Sequence, residues 1–173
     1  IIGSGSGTWN GNSYHGGTII KGAFRWNDSA KNIKMESLAF TPNNPNHSKS
    51  YNLSFFGQSD NIEFNSFLYD IAFYGDSFCV HNTEFRGKKW NVEKVRSFNA
   101  GIHNFPIKAG NSIFKDIYVE NNNVNASFII IKSHHPLGSP DNLIIDGFHI
   151  KMTGYTFYPG IFFVNYDSPD QTI

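Results

Sequence analysis

Two acidic residues, Asp70 and Glu120, are the candidates for acid–base chemistry in this sequence. A pair of carboxyl groups can share a hydrolysis, because one donates a proton to the leaving group while the other activates a water. Tyr118 and His149 could shield Glu120 from solvent, and shielding makes a carboxyl group the better proton donor. The sequence therefore predicts Glu120 as the acid and Asp70 as the base.

A second set of residues could hold a substrate without reacting with it: Asn99, Tyr118, His149, Lys151 and Trp90. His149 and Lys151 could bind an acidic or a hydroxyl group of the ligand. Trp90 stands among basic residues in "FRGKKWNVEKVR" (85–96) and could stack on a ligand ring, although one Trp can equally anchor a turn. We predict substrate binding by this set.

No cofactor or metal is predicted. The segment "GSGSGTW" (3–9) has neither the G-x-G-x-x-G spacing nor the GK[ST] of a nucleotide-binding loop. His134 and His135 lie in a loop-like segment with no third metal ligand near them in sequence.

The overall charge argues against two classes of partner. Lys+Arg and Asp+Glu both number 14 in 173 residues, so the formal net charge is zero. A nucleic-acid or acidic-membrane surface would call for a basic excess, so neither partner is expected. No stretch approaches the roughly 18 apolar residues of a membrane span, and we predict a soluble chain that does not insert into a membrane.

Five similar segments must position these candidates. The pattern is an Asn followed by apolar residues at the second, fourth, seventh and ninth positions. It starts at Asn32, Asn61 and Asn142, at Asn111 with Ser112 in the second position, and at Asn91 if one extra residue is allowed near Lys94; the starts are 20 to 31 residues apart. Alternation of apolar and polar residues on either side of a polar bend predicts strands rather than helices. A repeat of this length predicts stacked coils, with an all-β fold and parallel sheets.

The spacing of these asparagine-led segments resembles that of the right-handed parallel β-helix proteins of the pectate-lyase-like superfamily. The opening "IIGSGSGTW" followed by "HGGTIIKGAFRW" is similar to the first coils of that group's bacteriophage tailspikes and pre-neck appendages. The resemblance implies one single-stranded β-helix domain (a solenoid) over 1–173, as a fragment without its N-terminal cap. It further implies recognition and cleavage of a cell-surface polysaccharide, a homotrimer, and an extracellular or virion location.

Aligning the five segments puts the candidates into outward-facing columns. The eighth position gives Ala39, Leu68, Asn99, Tyr118 and His149, and the tenth gives Thr41, Asp70, Gly101, Glu120 and Lys151. Asp70 and Glu120 are then two coils apart, on the order of 10 Å, across a notch at Gly101. Inverting glycosidases hold their carboxyl groups about 6.5–9.5 Å apart. We predict glycoside hydrolysis, with a simple Glu120–Lys151 ion pair as the alternative.

Two further functions stay open at this point. The domain could be a non-catalytic receptor-binding or fibre module that uses the same side chains. It could instead be a polysaccharide lyase in which Tyr118, His149 or Lys151 removes a proton next to a uronate carboxylate.

The third position of the aligned segments carries two other predictions. Glu63 would stack on Glu93, either as a second carboxylate pair or neutralised by nearby lysines. Ile113 and Ile144 would face outward side by side, which predicts a covered surface such as a subunit contact.

Overall fold

The computed structural model describes residues 1–10, 13–43, 51–59, 61–75, 79–100, 103–121, 127–133, 142–152 and 161–165. This part of the chain is all-β, with no helix and hence no helical membrane span. Its strands are β1 (Thr8–Trp9), β2 (Tyr14–His15), β3 (Thr18–Lys21), β4 (Phe24–Trp26), β5 (Lys34–Thr41), β6 (Tyr51–Phe56), β7 (Glu63–Tyr74), β8 (Cys79–Phe98), β9 (His103–Gly110), β10 (Ser112–Asn121), β11 (Ser127–Ser133), β12 (Leu143–Met152) and β13 (Ile161–Asn165). The notch residue Gly101 and the pair His134 and His135 lie outside the described residues.

The strands from β3 onward form two parallel ladders, which the chain visits in turn. Ladder A contains β3, β5, β7, the second half of β8, β10 and β12. Ladder B contains β4, β6, the first half of β8, β9, β11 and β13. Each strand of one ladder is thus followed by a strand of the other, so the all-β and parallel predictions are confirmed.

The inner side chains of both ladders pack into one core of Phe, Trp, Ile, Leu and Val. Phe56 of ladder B lies edge-on to Phe73 of ladder A, with 6.1 Å between ring centroids, and Phe85 and Phe114 meet in the same way at 5.2 Å. Such aromatic pairs add roughly 0.5–1.5 kcal/mol each beyond their burial. The apolar residues that alternate with polar ones in this Phe-rich chain are therefore those that point into the core, because alternate residues of a strand point to opposite faces.

The register of ladder A differs from the predicted alignment in two of its rungs. Lys34 pairs with Phe67 rather than Glu63, and Asn91 rather than Glu93 pairs with Ile113. The segments that begin at 61 and 91 are therefore offset by four and two residues. The last rung was predicted correctly, because Ile113 pairs with Ile144.

The offset overturns the predicted stacking of Glu63 on Glu93. Glu63 lies opposite Lys88 and forms an ion pair with Lys89, with 2.7 Å between Nζ and Oε2. Glu93 instead lies between Tyr69 and Lys115. These two carboxylates are not a catalytic pair.

Left-handed residues mark the two places where each ladder A rung bends. The first corner column contains Asn32, Asn65, Lys89 and Asn111, and the second contains Ser37, Asp70, Lys94, Asp116 and Gly147; each of these has a positive φ. Asn, Asp and Gly tolerate this backbone region better than other residues do. Asn32 and Asn111 of the repeat are thus corner residues, whereas Asn65 and Lys89 take the places that were predicted for Asn61 and Asn91.

An insertion interrupts the first rung of ladder A at its second corner. Residues 1–5 run beside β5, where the N–H of Gly5 donates to the carbonyl of Ser37 at 2.9 Å, and β3 then continues the rung opposite Leu38. The chain between them contains the antiparallel pair β1–β2; we name its described residues (5–10 and 13–17) the corner hairpin. Its two ends meet, because the N–H of Thr18 donates to the carbonyl of Gly5 at 2.8 Å.

Candidate functional site

Four of the predicted site residues meet on the outer face of ladder A, at β10 and β12. The parallel register puts Tyr118 beside His149 and Glu120 beside Lys151. Residues two apart on a strand point to the same face, so all four side chains lie on one side of the sheet. We name this group the outer patch.

Glu120 is the centre of the outer patch. Its Oε2 accepts a hydrogen bond from the Tyr118 hydroxyl at 2.8 Å, and its Oε1 accepts one from Lys151 Nζ at 3.1 Å. Glu120 is only 7% exposed, whereas the Lys151 side chain is 52% exposed. A ligand that approaches from solvent therefore meets Lys151 first and finds the carboxylate already hydrogen-bonded beneath it.

Tyr118 stays protonated at neutral pH. Partial burial, then the hydrogen bond to Glu120 and its negative charge, raise the pKa of Tyr118 to about 12. A phenol held in its neutral form is a hydrogen-bond donor and acceptor, and it is no general base at neutral pH. The raised pKa therefore makes proton removal by Tyr118 harder than by an ordinary tyrosine.

The rings of the outer patch extend an aromatic row. Tyr118 and His149 stack with 5.1 Å between centroids and 6° between planes, while Phe98 lies 5.8 Å from Tyr118 and Tyr74 lies 5.2 Å from Phe98. We name these four rings the outer row. Because each ring covers the face of the next, Tyr118 presents its edge and hydroxyl rather than a free face.

The corner hairpin covers the first half of the outer row. Trp9 lies 5.7 Å from Tyr74 and 5.5 Å from Phe98, and Tyr14 stacks on Tyr74 at 5.3 Å between ring centroids. The Tyr74 hydroxyl donates to the carbonyl of Ser6 at 2.9 Å. Tyr74 and Phe98 are consequently buried, and exposed His149 ends the row on the other side.

Asp70 is not part of the outer patch, so the predicted notch is wrong. Asp70 is a left-handed corner residue. Glu120 lies two rungs away from it, and four residues past the corresponding corner of its own rung. Rung and residue spacings put the two about 16 Å apart. Asp70 Oδ1 instead accepts from Ser6 Oγ at 2.6 Å and lies 3.4 Å from an Arg96 guanidinium nitrogen.

Two of the predicted binding residues also lie elsewhere. Trp90 is 1% exposed and stacks on Phe64 in the core at 4.5 Å between centroids, so it offers no surface to a ligand. Asn99 is a left-handed residue at the end of β8, where its N–H donates to the backbone carbonyl of Glu120 at 3.0 Å. Arg96 occupies the place beside Tyr118 that the sequence alignment gave to Asn99.

Arg96 and the corner hairpin are the neighbours of the patch that sequence reasoning missed. Arg96 would have come into the column if the segment at 91 had been aligned on Lys89 without the extra residue near Lys94. Nothing in the sequence of residues 5–10 and 13–17 indicated that they fold onto the sheet.

No group of three or more His, Cys, Asp or Glu side chains is arranged to hold a metal ion within the described ranges. Comparison with known proteins finds no matching family model, no matching curated protein and no matching solved structure.

Proposed function

We propose that the chain is a right-handed parallel β-helix domain that binds a polysaccharide at the outer patch. Support for the β-helix comes from the order of the strands, which alternate between ladder A and ladder B and pair only in parallel from β3 onward. Support for the right hand is general, since crossovers between parallel strands are almost always right-handed.

The observation that carries the binding proposal is the connected polar group formed by Tyr118, Glu120 and Lys151 beside an exposed imidazole. A sugar presents neighbouring hydroxyl groups, each of which both donates and accepts a hydrogen bond. The remaining N–H donors of Lys151 and the ring nitrogens of His149 can serve such a pair of hydroxyls. The ring edges beside them provide apolar contact for the C–H groups.

Binding is better supported than cleavage. Hydrolysis by two carboxyl groups requires a separation of about 5–10 Å, and Asp70 is about 16 Å from Glu120 by rung and residue spacing. Both oxygens of Glu120 are held by Tyr118 and Lys151, so Glu120 positions those two groups. The non-catalytic receptor-binding alternative is therefore the function that we propose first.

The resemblance to tailspikes adds a homotrimer with an extracellular or virion location to this proposal. Ile113 and Ile144 lie side by side on the outside of ladder A, and Ile144 is 51% exposed. An apolar pair of this kind suits a subunit contact. Light scattering tests the trimer, since a monomeric mass would contradict it.

The test of binding uses affinity electrophoresis through gels that contain bacterial surface polysaccharides. We expect the double variant His149→Ala/Lys151→Met to lose retardation by at least about tenfold in Kd, because two or three hydrogen bonds disappear. Lys115→Met is the matched control, because Lys115 is an exposed lysine on β10, the neighbouring strand that carries Tyr118 and Glu120, but lies outside the patch.

Equal retardation of the double variant and the wild type would refute binding at the outer patch. Release of reducing ends from a retarded polymer reports on cleavage separately. Release that survives Glu120→Gln would show that Glu120 is not its acid.

A further inference from the structure

We infer that the outer patch selects uncharged sugars over uronate-containing ones, and that Glu120 is the residue that sets this preference. The inference rests on the proposed function and narrows it to a class of polysaccharide.

Glu120 cancels the charge of the most exposed cation in the patch. Lys151 Nζ lies 3.1 Å from Glu120 Oε1, and the carboxylate is buried although the lysine is half exposed, so water screens the pair from one side only. Tyr118 adds no charge, since its pKa is raised to about 12 by burial and by Glu120. The patch therefore offers hydrogen-bond donors without a net positive charge from these three groups.

The next cation along the same face is also matched by an anion. Arg96 lies beside Tyr118 in the register, and its guanidinium contacts Asp70 and Ser6 Oγ. Ser6 in turn donates to Asp70. An incoming uronate carboxylate would therefore have to compete with Asp70 for the guanidinium group of Arg96.

A neutral diol meets no such competition. The ammonium group of Lys151 has three donors, of which the contact with Glu120 uses one. The others can donate to sugar hydroxyls while the ion pair stays intact. A uronate carboxylate at the same place would approach the charge of Glu120, and repulsion between like charges is costly where the dielectric is low.

The experiment compares matched polymers. Each uronate-containing surface polysaccharide is measured beside its carboxyl-reduced form, in which the uronate has become a neutral hexose. We expect the wild type to bind the reduced form about tenfold more tightly, and Glu120→Gln to reverse that preference because Lys151 is then unpaired. Binding of uronate by Glu120→Gln should weaken as salt is added.

Two other variants keep the result interpretable. Tyr118→Phe removes the other hydrogen bond to Glu120 without changing any charge, and we expect it to retain the wild-type preference. Lys151→Met leaves Glu120 as an unpaired anion, so its discrimination against uronate should increase even if Glu120→Gln does not fold. Thermal melting identifies any variant that is unfolded.

Equal or tighter binding of the uronate form by the wild type would overturn the inference while leaving the proposed function in place. An unchanged preference in folded Glu120→Gln would also overturn it. Failure of the wild type to bind any polymer in either form would overturn the proposed function and this inference together.

Discussion

At the scale of single residues, Glu120 shows how a buried carboxylate can organise its surroundings without reacting. It accepts from the Tyr118 hydroxyl with one oxygen and from Lys151 with the other. A carboxylate that lost both partners would be buried with unsatisfied acceptors, at a cost of a few kcal/mol. The patch is consequently held in one arrangement before any ligand arrives.

The pKa of Tyr118 gives a test of this arrangement. Because burial and Glu120 raise the pKa of Tyr118 to about 12, against about 10 for a free tyrosine, the neutral phenol is favoured by the folded state. The stabilisation is complete below about pH 10 and is lost as pH rises towards the folded-state pKa. We expect the difference in tyrosinate absorbance between the wild type and Tyr118→Phe to titrate near that value.

Glu120→Gln provides the control for the cause of the shift. Removing the negative charge should lower the pKa of Tyr118, while burial continues to hold it above the ordinary range. A tyrosinate difference that titrated like a free tyrosine would contradict the hydrogen bond between Tyr118 and Glu120.

The predicted site residues that the structure brings together lie in the two segments that were aligned correctly. Tyr118, Glu120, His149 and Lys151 belong to rungs whose register matches the predicted one. Asp70 belongs to a segment that had been offset, and it therefore left the predicted column. Sequence spacing correctly places residues on two neighbouring rungs when the register between those rungs is known. It misplaces them when that register is uncertain.

At the scale of the strand, the errors in register have a simple physical origin. Successive side chains of a strand alternate between its faces, so a shift by two or four residues leaves the in-and-out pattern intact. The error of four residues at the segment that starts at 61 is an even shift of this kind, and so is the error of two residues in the first half of the segment that starts at 91. The extra residue near Lys94 makes the error three residues in the second half of that segment. Only the corner residues could have fixed the register, because they are where the alternation breaks.

Substitution of Asp116 tests whether the corners require a left-handed backbone. Asp116 is exposed and has a φ of 50°, which β-branched residues adopt with difficulty. We expect Asp116→Val to lower the free energy of unfolding by about 1–2 kcal/mol and Asp116→Gly to leave it nearly unchanged. Denaturant titration measures both.

Lys115→Val is the matched control, since Lys115 is the preceding residue in the same strand and is not left-handed. Valine is favoured at exposed strand positions, so this variant should be neutral. A loss of stability in Lys115→Val as large as in Asp116→Val would mean that backbone conformation is not the reason.

At the scale of the whole molecule, the corner hairpin ties four rungs of ladder A together. It leaves the first rung and reaches Phe98, three rungs further on, through the ring of Trp9. Ser6 fastens its base to Asp70 and to the Tyr74 hydroxyl. No sequence pattern predicted this contact, because the partners are far apart along the chain and belong to no repeat.

Substitution of Trp9 tests how much the corner hairpin contributes to the stability of the fold. We expect Trp9→Ala to lower the free energy of unfolding by about 2 kcal/mol, below the usual cost for a fully buried Trp, because Trp9 is only partly buried. It should also expose Tyr74 and Phe98 to solvent, which dye binding to apolar surface can detect. Trp9→Phe should recover more than half of the loss.

An unchanged melting temperature and no added dye binding in Trp9→Ala would contradict the packing of Trp9 on the outer row. If Trp9→Phe lost as much stability as Trp9→Ala, covering Tyr74 and Phe98 with an aromatic ring would not be the reason for the contribution of Trp9.

The closed base of the corner hairpin has a consequence for how such a protein can diversify. Gly5 and Thr18 are hydrogen-bonded to each other, and the rung continues past them as though the intervening residues were absent. A loop of another length can therefore replace the hairpin without changing the pairing of β3 with β5. Such a loop must bring an apolar side chain of its own to cover Tyr74 and Phe98, because it removes Trp9 from them.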